Sequence, residues 1–442
     1  MERFLKQSLV AWKNNPSRMP LLLRGARQVG KSFLVNAFGQ EHFDEVISIN
    51  FERNPEYSAC FDSFEITEIL QKISVYQGKR IIPGKSLLFL DEVQACPRAI
   101  EALRYFKEEY PQLHVIATGS LLEFALREEN FKMPVGRIEF LYLNPLSFLE
   151  YLDASGKSMW KEAIAAATLN TPLPSVLHTP LLQEVKRYMM LGGMPAVLNQ
   201  ALQQNAGESL FHPTQMNILT TYENDFARYA TSAKQEHLRM VFQQMPLLIG
   251  QQTKYHKINP DVHSRFLKEA IFCLSLAGVI YPVYATHAAG LPLSAGLNYN
   301  KYKLFFLDVG LMTAKSNLSA AVLMSEDIML INRGALAEQF VCQELLAYQA
   351  PFQKANIQYW SREEKGSQAE VDFVIQSRNN ILPIEVKAGS TGRLRSLQLM
   401  MQEKKLPLGI RISELPLQWD EKTRILSVPF YMISEIQRLT PY

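Results

Sequence analysis

The sequence contains few cysteines, and none of them lies close to another along the chain. Its four cysteines stand at positions 60, 96, 273 and 342, and no two of its eight histidines are spaced as His-x-x-x-His. Close spacings of this kind are typical of disulfide-rich domains and of zinc sites. We therefore expect neither, and widely spaced free thiols suit a reducing cytosol.

Long hydrophobic runs are also missing. The longest apolar stretch, Ala270–Tyr284, is interrupted by Ser275 and Pro282 and is shorter than the ~20 residues that cross a bilayer. Apolar side chains near the N-terminus recur at helical spacing, whereas a signal peptide has an unbroken apolar core. The sequence therefore predicts a soluble, cytoplasmic protein with no membrane partner.

An excess of charge of either sign is absent too. The chain has 46 lysine and arginine residues against 43 aspartate and glutamate residues, a formal net charge of +3 over 442 residues. This balance argues against a protein coated in basic charge, although it leaves room for a local basic groove. With 47% hydrophobic and 20% charged residues, the composition is that of a globular protein of about three domains.

Short apolar runs alternate with amphipathic stretches between about residues 20 and 145. The runs are unbroken rather than alternating, as expected for parallel strands that helices cover on both faces. We therefore predict an α/β domain with a doubly wound parallel sheet over residues 1–150. Its expected strands lie near residues 20–23, 46–51, 87–90, 115–117 and 138–143.

The pattern changes after this domain. Residues 151–230 have helical patterns punctuated by prolines, and we expect a helical lid or linker there. Residues 231–325 carry two helical patterns followed by a hairpin with a long loop, which is the outline of a winged helix. Residues 326–442 begin with a helical pattern and continue as a β-hairpin, so we expect a further α/β domain.

A glycine-rich segment joins the first predicted strand to a helix. Residues 25–32 fit the pattern Gly-x-x-x-x-Gly-Lys-Ser, in which backbone N–H groups and a helix N-terminus surround phosphate oxygens. We expect Lys31 to reach the β- and γ-phosphates of ATP and the Ser32 hydroxyl to coordinate Mg²⁺. The expected nucleotide-binding residues are Gly25, Ala26, Arg27, Gln28, Val29, Gly30, Lys31 and Ser32.

Acidic and hydroxyl side chains follow the later strands of the same domain. Asp91 ends the strand near residues 87–90, at the edge where ligands bind in open α/β sheets. We expect Asp91 to hold the Mg²⁺ ion and Glu92 to orient and deprotonate the attacking water. Either Thr118 or Ser120, after the next strand, could sense the γ-phosphate or position the water.

Arg137 precedes the last predicted strand of this domain. An arginine there is a candidate arginine finger, acting on the ATP site of its own chain or on that of a neighbouring subunit. The second possibility requires a homo-oligomer.

These motifs resemble those of a prokaryotic group of AAA+ P-loop ATPases that carry a C-terminal domain of unknown function. The similar segments are Leu23–Ser32, Leu90–Gln94, Thr118–Ser120, Gly136-Arg137, Leu143–Phe148, Gly192–Pro195, Tyr222–Asp225 and Phe306–Leu311. The resemblance covers most of the chain and implies binding and hydrolysis of ATP. It supplies no physical role for Gly192, Gly193 or Asp225.

Two strand-like runs near the C-terminus place acidic and basic side chains on one face. The runs lie at residues 370–375 and 382–387. A turn centred on residues 378–379 places Asp372 opposite Glu385, and a turn centred on residues 379–380 places it opposite Lys387. In both registers the three side chains converge, and such a group can bind a divalent cation and stabilise phosphate charge.

This arrangement resembles the core of the PD-(D/E)xK nucleases. Asp372, Glu385 and Lys387 match its motif, although the first part reads Val-Asp rather than Pro-Asp, and Glu338 matches its helical acid. The resemblance implies a metal site formed by Glu338, Asp372 and Glu385, with Lys387 beside it. The alternatives are a solvated charged strand face and an inactive nuclease fold kept as a scaffold.

Two functional hypotheses follow. In the first, a Mg²⁺-dependent ATPase couples ATP to DNA binding or processing through the nuclease-like domain. In the second, ATP switches a protein-interaction or signalling module whose C-terminal fold is an inactive docking surface. For DNA, the best basic segment is Lys254–Lys257, but residues 231–300 carry only six basic residues against three acidic ones. A small-molecule kinase shares the phosphate loop but rarely has so large a C-terminal region.

Overall fold

Two β-sheets and a helical region between them organise the computed structural model. It describes residues 1–127, 136–203, 208–317, 333–354, 356–362, 369–389 and 392–440. The strands are β1 (Leu21–Arg24), β2 (Glu45–Asn50), β3 (Ser86–Asp91), β4 (His114–Thr118), β5 (Glu139–Tyr142), β6 (Ile280–Thr286), β7 (Leu297–Phe306), β8 (Gln358–Ser361), β9 (Glu370–Ser377), β10 (Asn380–Val386), β11 (Gly409–Ser413), β12 (Gln418–Asp420) and β13 (Ile425–Pro429).

Helices connect and cover these strands. They are α1 (Leu5–Asn14), α2 (Lys31–His42), α3 (Ile66–Gln77), α4 (Pro97–Glu109), α5 (Leu122–Ala125), α6 (Phe148–Ala154), α7 (Ser158–Ala166), α8 (Ser175–Leu191), α9 (Pro195–Gln203), α10 (Glu208–Tyr229), α11 (Ser232–Leu248), α12 (Tyr255–Ile258), α13 (Ser264–Leu276), α14 (Val309–Lys315), α15 (Arg333–Ala347), α16 (Arg395–Lys404) and α17 (Ile436–Leu439). Short 3₁₀ helices cover Pro55–Phe61, Val93–Ala95, Leu293–Gly296 and Phe430–Glu435. None of the helices within the described ranges is long and apolar enough to cross a membrane.

The first sheet is parallel and has the order β2-β3-β4-β1-β5. Every residue of β3 is buried. Leu87 and Phe89 pack in the layer that contains α1 and α2, whereas Leu88 and Leu90 pack in the layer that contains α3 and α4. Apolar side chains are needed on both faces because helices cover both. The predicted α/β domain with a parallel sheet is confirmed.

The second sheet is mixed and has the order β12-β13-β11-β10-β9-β8-β6-β7. Its β6–β7 hairpin is the one predicted for a winged helix, and α11 and α13 precede it as expected. The hairpin forms one edge of this sheet, because β6 also pairs with β8 in parallel. Strands from both sides of the boundary predicted at residue 325 therefore share one sheet.

The register of β9 and β10 selects one of the two predicted alignments. Ser377 pairs with Asn380 and Phe373 pairs with Ile384, so the turn centres on residues 378–379 and Asp372 lies opposite Glu385. Arg378 adopts the left-handed conformation there, with φ 52°, as expected in a two-residue hairpin turn.

The segment between α8 and α9 is in close contact with two distant parts of the chain. A Cβ atom added to Gly192, whose φ is 73°, would lie 2.0 Å from Oδ1 of Asp308, and one added to Gly193 would lie 2.1 Å from the carbonyl oxygen of Leu146. The Gly193 N–H donates to Oδ2 of Asp308 at 2.6 Å, and its carbonyl accepts from the Leu146 N–H at 2.8 Å. This contact gives both glycines the physical role that the sequence did not reveal.

We expect Gly193→Ala to lower the free energy of unfolding by about 3 kcal/mol, because the new methyl group would overlap a backbone carbonyl that cannot move aside. Gly290→Ala is the matched control, since an added Cβ there meets nothing within 4 Å. Chemical denaturation of both variants checks this, and equal stabilities would show that the close packing is misassigned.

Candidate ATP site and C-terminal acid cluster

The phosphate loop lies between the end of β1 and the start of α2, as predicted. Lys31 is only 6% exposed, and its Nζ donates to the carbonyl oxygens of Gly25 at 2.9 Å and Ala26 at 2.8 Å. Burial lowers the pKa of Lys31 to about 8, although attraction to Glu92 and Asp91 acts in the opposite direction. The ammonium group is therefore held against the loop that would receive phosphate.

Asp91 lies at the end of β3 among hydrogen-bond donors from three other segments. Its Oδ2 accepts from Ser32 Oγ at 2.8 Å and from Asn50 Nδ2 at 3.1 Å. Its Oδ1 accepts from the Thr118 hydroxyl and from the Glu92 N–H, the latter at 3.1 Å. A hydroxyl and a carboxylate in contact are hard oxygen ligands that suit Mg²⁺, so the residues present fit the predicted ion.

Glu92 follows directly and is held in a defined position. Its backbone has a left-handed conformation, with φ 54°, which is uncommon for a residue with a side chain and concentrates at functional sites. Its Oε2 accepts from Gln94 Nε2 at 2.6 Å and from Ser120, at 3.1 Å from Oγ and 3.3 Å from the backbone N–H. The sequence did not distinguish the roles of the two hydroxyls, but their partners in the structure differ. Thr118 contacts Asp91, and Ser120 contacts Glu92.

The phosphate loop is also held by residues that sequence reasoning missed. The Arg27 guanidinium pairs with Asp225 of α10, and the Tyr222 hydroxyl donates to the Arg27 carbonyl at 2.7 Å. From the other side, Arg3 donates to the carbonyl of Val29 at 3.0 Å. Tyr222 and Asp225 lie in a segment that carries the family resemblance, and their contacts with Arg27 give that segment a structural role.

Arg137 does not lie at the ATP site of its own chain. It is exposed just before β5, at the end of the sheet opposite the phosphate loop, and its Nε pairs with Glu108 at 3.1 Å. That Arg137 acts as an arginine finger on the ATP site of a neighbouring subunit stays a prediction.

A cavity of about 340 Å³ opens beside the phosphate loop. Gly25 and Ser120 line it from the ATPase domain, Tyr281 lines it from β6, and Tyr348 lines it just after α15. The backbone of Tyr142 in β5 also donates to the Pro351 carbonyl at 2.8 Å. The C-terminal part of the chain therefore borders the phosphate loop.

The predicted C-terminal residues come together, with one addition. Lys387 Nζ lies 2.6 Å from Glu385 Oε1, and Asp372 Oδ2 accepts from the Val386 N–H at 2.9 Å. Glu338 of α15 belongs to the same cluster because it and Asp372 both contact Lys303, a residue of β7 that the sequence reading did not select. The sequence feature that could have indicated Lys303 is its position directly before the apolar run 304–307.

We define the acid cluster as Glu338, Glu370, Asp372 and Glu385. Burial and repulsion from Asp372 raise the pKa of Glu338 to about 8 and that of Glu385 to about 7. Burial lowers the pKa of Lys303, but attraction to Glu338, Asp372 and Glu370 outweighs it, and its pKa lies above the ordinary value. The lysine is therefore charged at neutral pH.

The metal site predicted at Glu338, Asp372 and Glu385 stays a prediction. Across the described ranges, no three His, Cys, Asp or Glu side chains are placed so that they could hold one metal ion. At this cluster the Lys303 ammonium contacts Glu338 and Asp372, at 3.2 and 3.4 Å.

Comparison with protein families supports the N-terminal assignment. Residues 17–152 match the model of an AAA domain. Residues 182–321 and 333–431 match two further models, each described as a domain of unknown function, DUF8612 and DUF4143. Together with the parallel sheet and the phosphate loop, the first match shows that residues 17–152 form an AAA-type P-loop ATPase domain.

Solved structures give more distant likenesses. A Walker-type ATPase of Pyrococcus abyssi is 16% identical, with 70% of this chain and 94% of that chain covered and a TM-score of 0.42. The ORC1 protein of Aeropyrum pernix, solved in complex with DNA, is 12% identical, with coverages of 72% and 93% and a TM-score of 0.31. A comparison with curated proteins finds no match.

Above pH 8 we expect ATP affinity to fall by about tenfold per pH unit, because the free protein then loses the Lys31 proton that phosphate binding requires. Titration calorimetry at pH 7 and pH 9, in buffers of different ionisation enthalpy, should show proton uptake on binding at pH 9. Lys31→Arg, which stays charged, should remove the pH dependence. Equal affinity at both pH values in the unmodified protein would contradict this assignment.

Glu92→Gln should leave ATP binding intact and lower the rate of hydrolysis by about 10² or more, because the general base is lost. Single-turnover hydrolysis and ATP binding measure the two effects separately. Glu109→Gln, at an exposed position at the end of α4, serves as the control and should behave like the unmodified protein. Undiminished hydrolysis in Glu92→Gln would remove Glu92 from this role.

Proposed function

We propose that this protein is a Mg²⁺-dependent ATPase that acts as a nucleotide-operated switch. The observation that carries the proposal is the attachment of the phosphate loop to α10 through Arg27, Asp225 and Tyr222. A change at the loop therefore reaches a helix that also packs against the rest of the chain. The proposal develops the second hypothesis drawn from the sequence, in which ATP switches a protein-interaction or signalling module.

The chemistry would follow from the contacts at the end of β3. Lys31 and the N–H groups at the start of α2 would bind the phosphates, while Ser32 and Asp91 would hold the Mg²⁺ ion. This ion supplies charge that stabilises phosphoryl transfer. Glu92 would accept a proton from the attacking water, and its bonds to Gln94 and Ser120 orient the accepting carboxylate.

Arg27 is the group through which nucleotide would act on α10. Its guanidinium belongs to the loop that would surround phosphate, yet it pairs with Asp225. Phosphate oxygens would compete with Asp225 for this cation, because charge-assisted bonds from arginine favour both partners. Asp225 would then retain Arg228, whose Nε lies 3.4 Å away, and α10 would lose its ionic contact with the loop.

From α10 a continuous set of contacts leads to the second sheet. Gln215 of α10 donates to the carbonyls of Leu191 at 3.3 Å and Gly310 at 3.2 Å. Gly310 belongs to α14, which begins after Asp308, the residue bound to Gly193. Movement of α10 would thus act on the junction between β7 and α14. The proposal therefore predicts energetic coupling between the phosphate loop and this junction.

DNA processing by the C-terminal cluster is the second candidate function. The convergence of Asp372, Glu385 and Lys387 on one sheet face favours it, whereas the contacts of Lys303 with two of the predicted metal ligands oppose it.

We expect Asp225→Asn to tighten ATP binding by about fivefold or more, because Arg27 loses its nearest charged partner and keeps only Glu52, at 4.0 Å. Titration calorimetry at constant salt measures this. The matched control is Asp153→Asn, which removes one partner of another partly buried pair, with Lys161, and should leave ATP affinity unchanged. Unchanged or weaker ATP binding in Asp225→Asn would contradict the switch.

The two candidate functions differ in their response to DNA. The switch predicts ATP turnover that is the same with and without single- or double-stranded DNA, and no Mg²⁺- or Mn²⁺-dependent cleavage. ATPase and cleavage assays on the unmodified protein and on Asp372→Ala check this. Cleavage that disappears in Asp372→Ala would replace the switch by the nuclease function.

A further inference from the structure

The side chain of Lys303 is among the most deeply buried charged groups of the described chain, with 1% of its surface exposed. Its Nζ lies 2.7 Å from Glu370 Oε1, 3.2 Å from Glu338 Oε2 and 3.4 Å from Asp372 Oδ1. The ring centroid of Tyr359 lies 5.4 Å away. One ammonium group thus contacts three of the four acids in the cluster.

Charge explains why a cation is needed at this point. Buried carboxylates that face one another repel, and a buried charge is tolerated only when it is paired. The Lys303 ammonium contacts carboxyl groups of α15 and β9, so it supplies the pairing cation without a bound metal ion. The fourth acid, Glu385, is paired with Lys387.

The backbone fixes Lys303 in this position. Within the β6–β7 hairpin its residue partner is Val283, and on its other side it forms an antiparallel bridge with Gln252. Gly250, in the same segment, lies so close to the acids that an added Cβ would be 2.9 Å from Glu338 Oε2. Because these contacts hold the backbone of Lys303 in place, its ammonium group could leave the acids only if the side chain alone moved out of its packed site.

We propose that Lys303 is the resident cation of the acid cluster, so that the folded protein takes up no divalent metal there. The cluster then holds β7, β9 and α15 together as a structural centre. It departs in this respect from the metal-dependent site that Asp372, Glu385 and Lys387 predict.

Binding of Mn²⁺ alone tests this proposal. All proteins carry Asp91→Asn, so that the ATP site contributes no metal binding, and bound Mn²⁺ is measured by electron paramagnetic resonance. We expect no submillimolar site in this parent, one new site after Lys303→Met, and loss of that site when Asp372→Asn is added. Lys315→Met, which removes another largely buried lysine, paired with Glu223 at 3.6 Å, should create no site.

Two results would overturn the proposal. One is a Mn²⁺ site in the parent that Asp372→Asn removes, and the other is a folded Lys303→Met variant that gains no site. If Lys303→Met does not fold, melting temperatures decide the matter. A parent whose melting temperature responds to Mn²⁺ no more than that of its Asp372→Asn variant supports the proposal, and a response in the parent alone refutes it.

Discussion

The carboxylate of Asp308 is buried where the ATPase domain, the helical region and the second sheet meet. It accepts hydrogen bonds from the Gly193 N–H at 2.6 Å, the Leu311 N–H at 3.0 Å and the Gln343 side chain at 3.3 Å. Burial raises its pKa to about 6, although these bonds act to lower it. Because a buried carboxylate without partners is costly, these hydrogen bonds stabilise the packing of the Gly193 segment against α14 and α15. A neighbouring carboxylate, that of Glu344, accepts from the Phe148 N–H at 3.0 Å and joins α15 to the ATPase domain in the same way.

This arrangement limits how the ATP site can respond to its ligand. The phosphate loop is bound to Arg3 on one side and to Tyr222 and Asp225 on the other. A rearrangement of Arg27 therefore changes the partners of α10, and α10 is tied through Gln215 to the segment that follows Asp308. The domain that would hydrolyse ATP and the sheet that carries the acid cluster are mechanically connected, which is the physical basis of the proposed switch.

The sequence predicts well those features that depend on local pattern. The five strands of the first sheet, the phosphate loop and Asp91 all follow from short motifs in their strand and helix context. Arg3 and Lys303 were not predicted, because each reaches its site from an element that is distant along the chain. Asn50 ends a predicted strand but belongs to no phosphate-binding motif, so its contact with Asp91 was not predicted either. The roles of Gly192 and Gly193 depend on Asp308 and Leu146, and no local pattern reveals a contact of that kind. The sequence leaves two registers open for the hairpin, and the pairing of Ser377 with Asn380 selects one of them.

We expect nucleotide at the phosphate loop to alter α10 and the junction between β7 and α14. Hydrogen exchange of the Glu92→Gln protein, with and without Mg²⁺ and ATP, measures this most directly. ATP should increase hydrogen exchange in residues 208–229 and change it in residues 303–315, while exchange in residues 409–429 of the second sheet should stay the same. Protection confined to residues 25–42 and 86–92, with no change in α10 or at the β7–α14 junction, would contradict it.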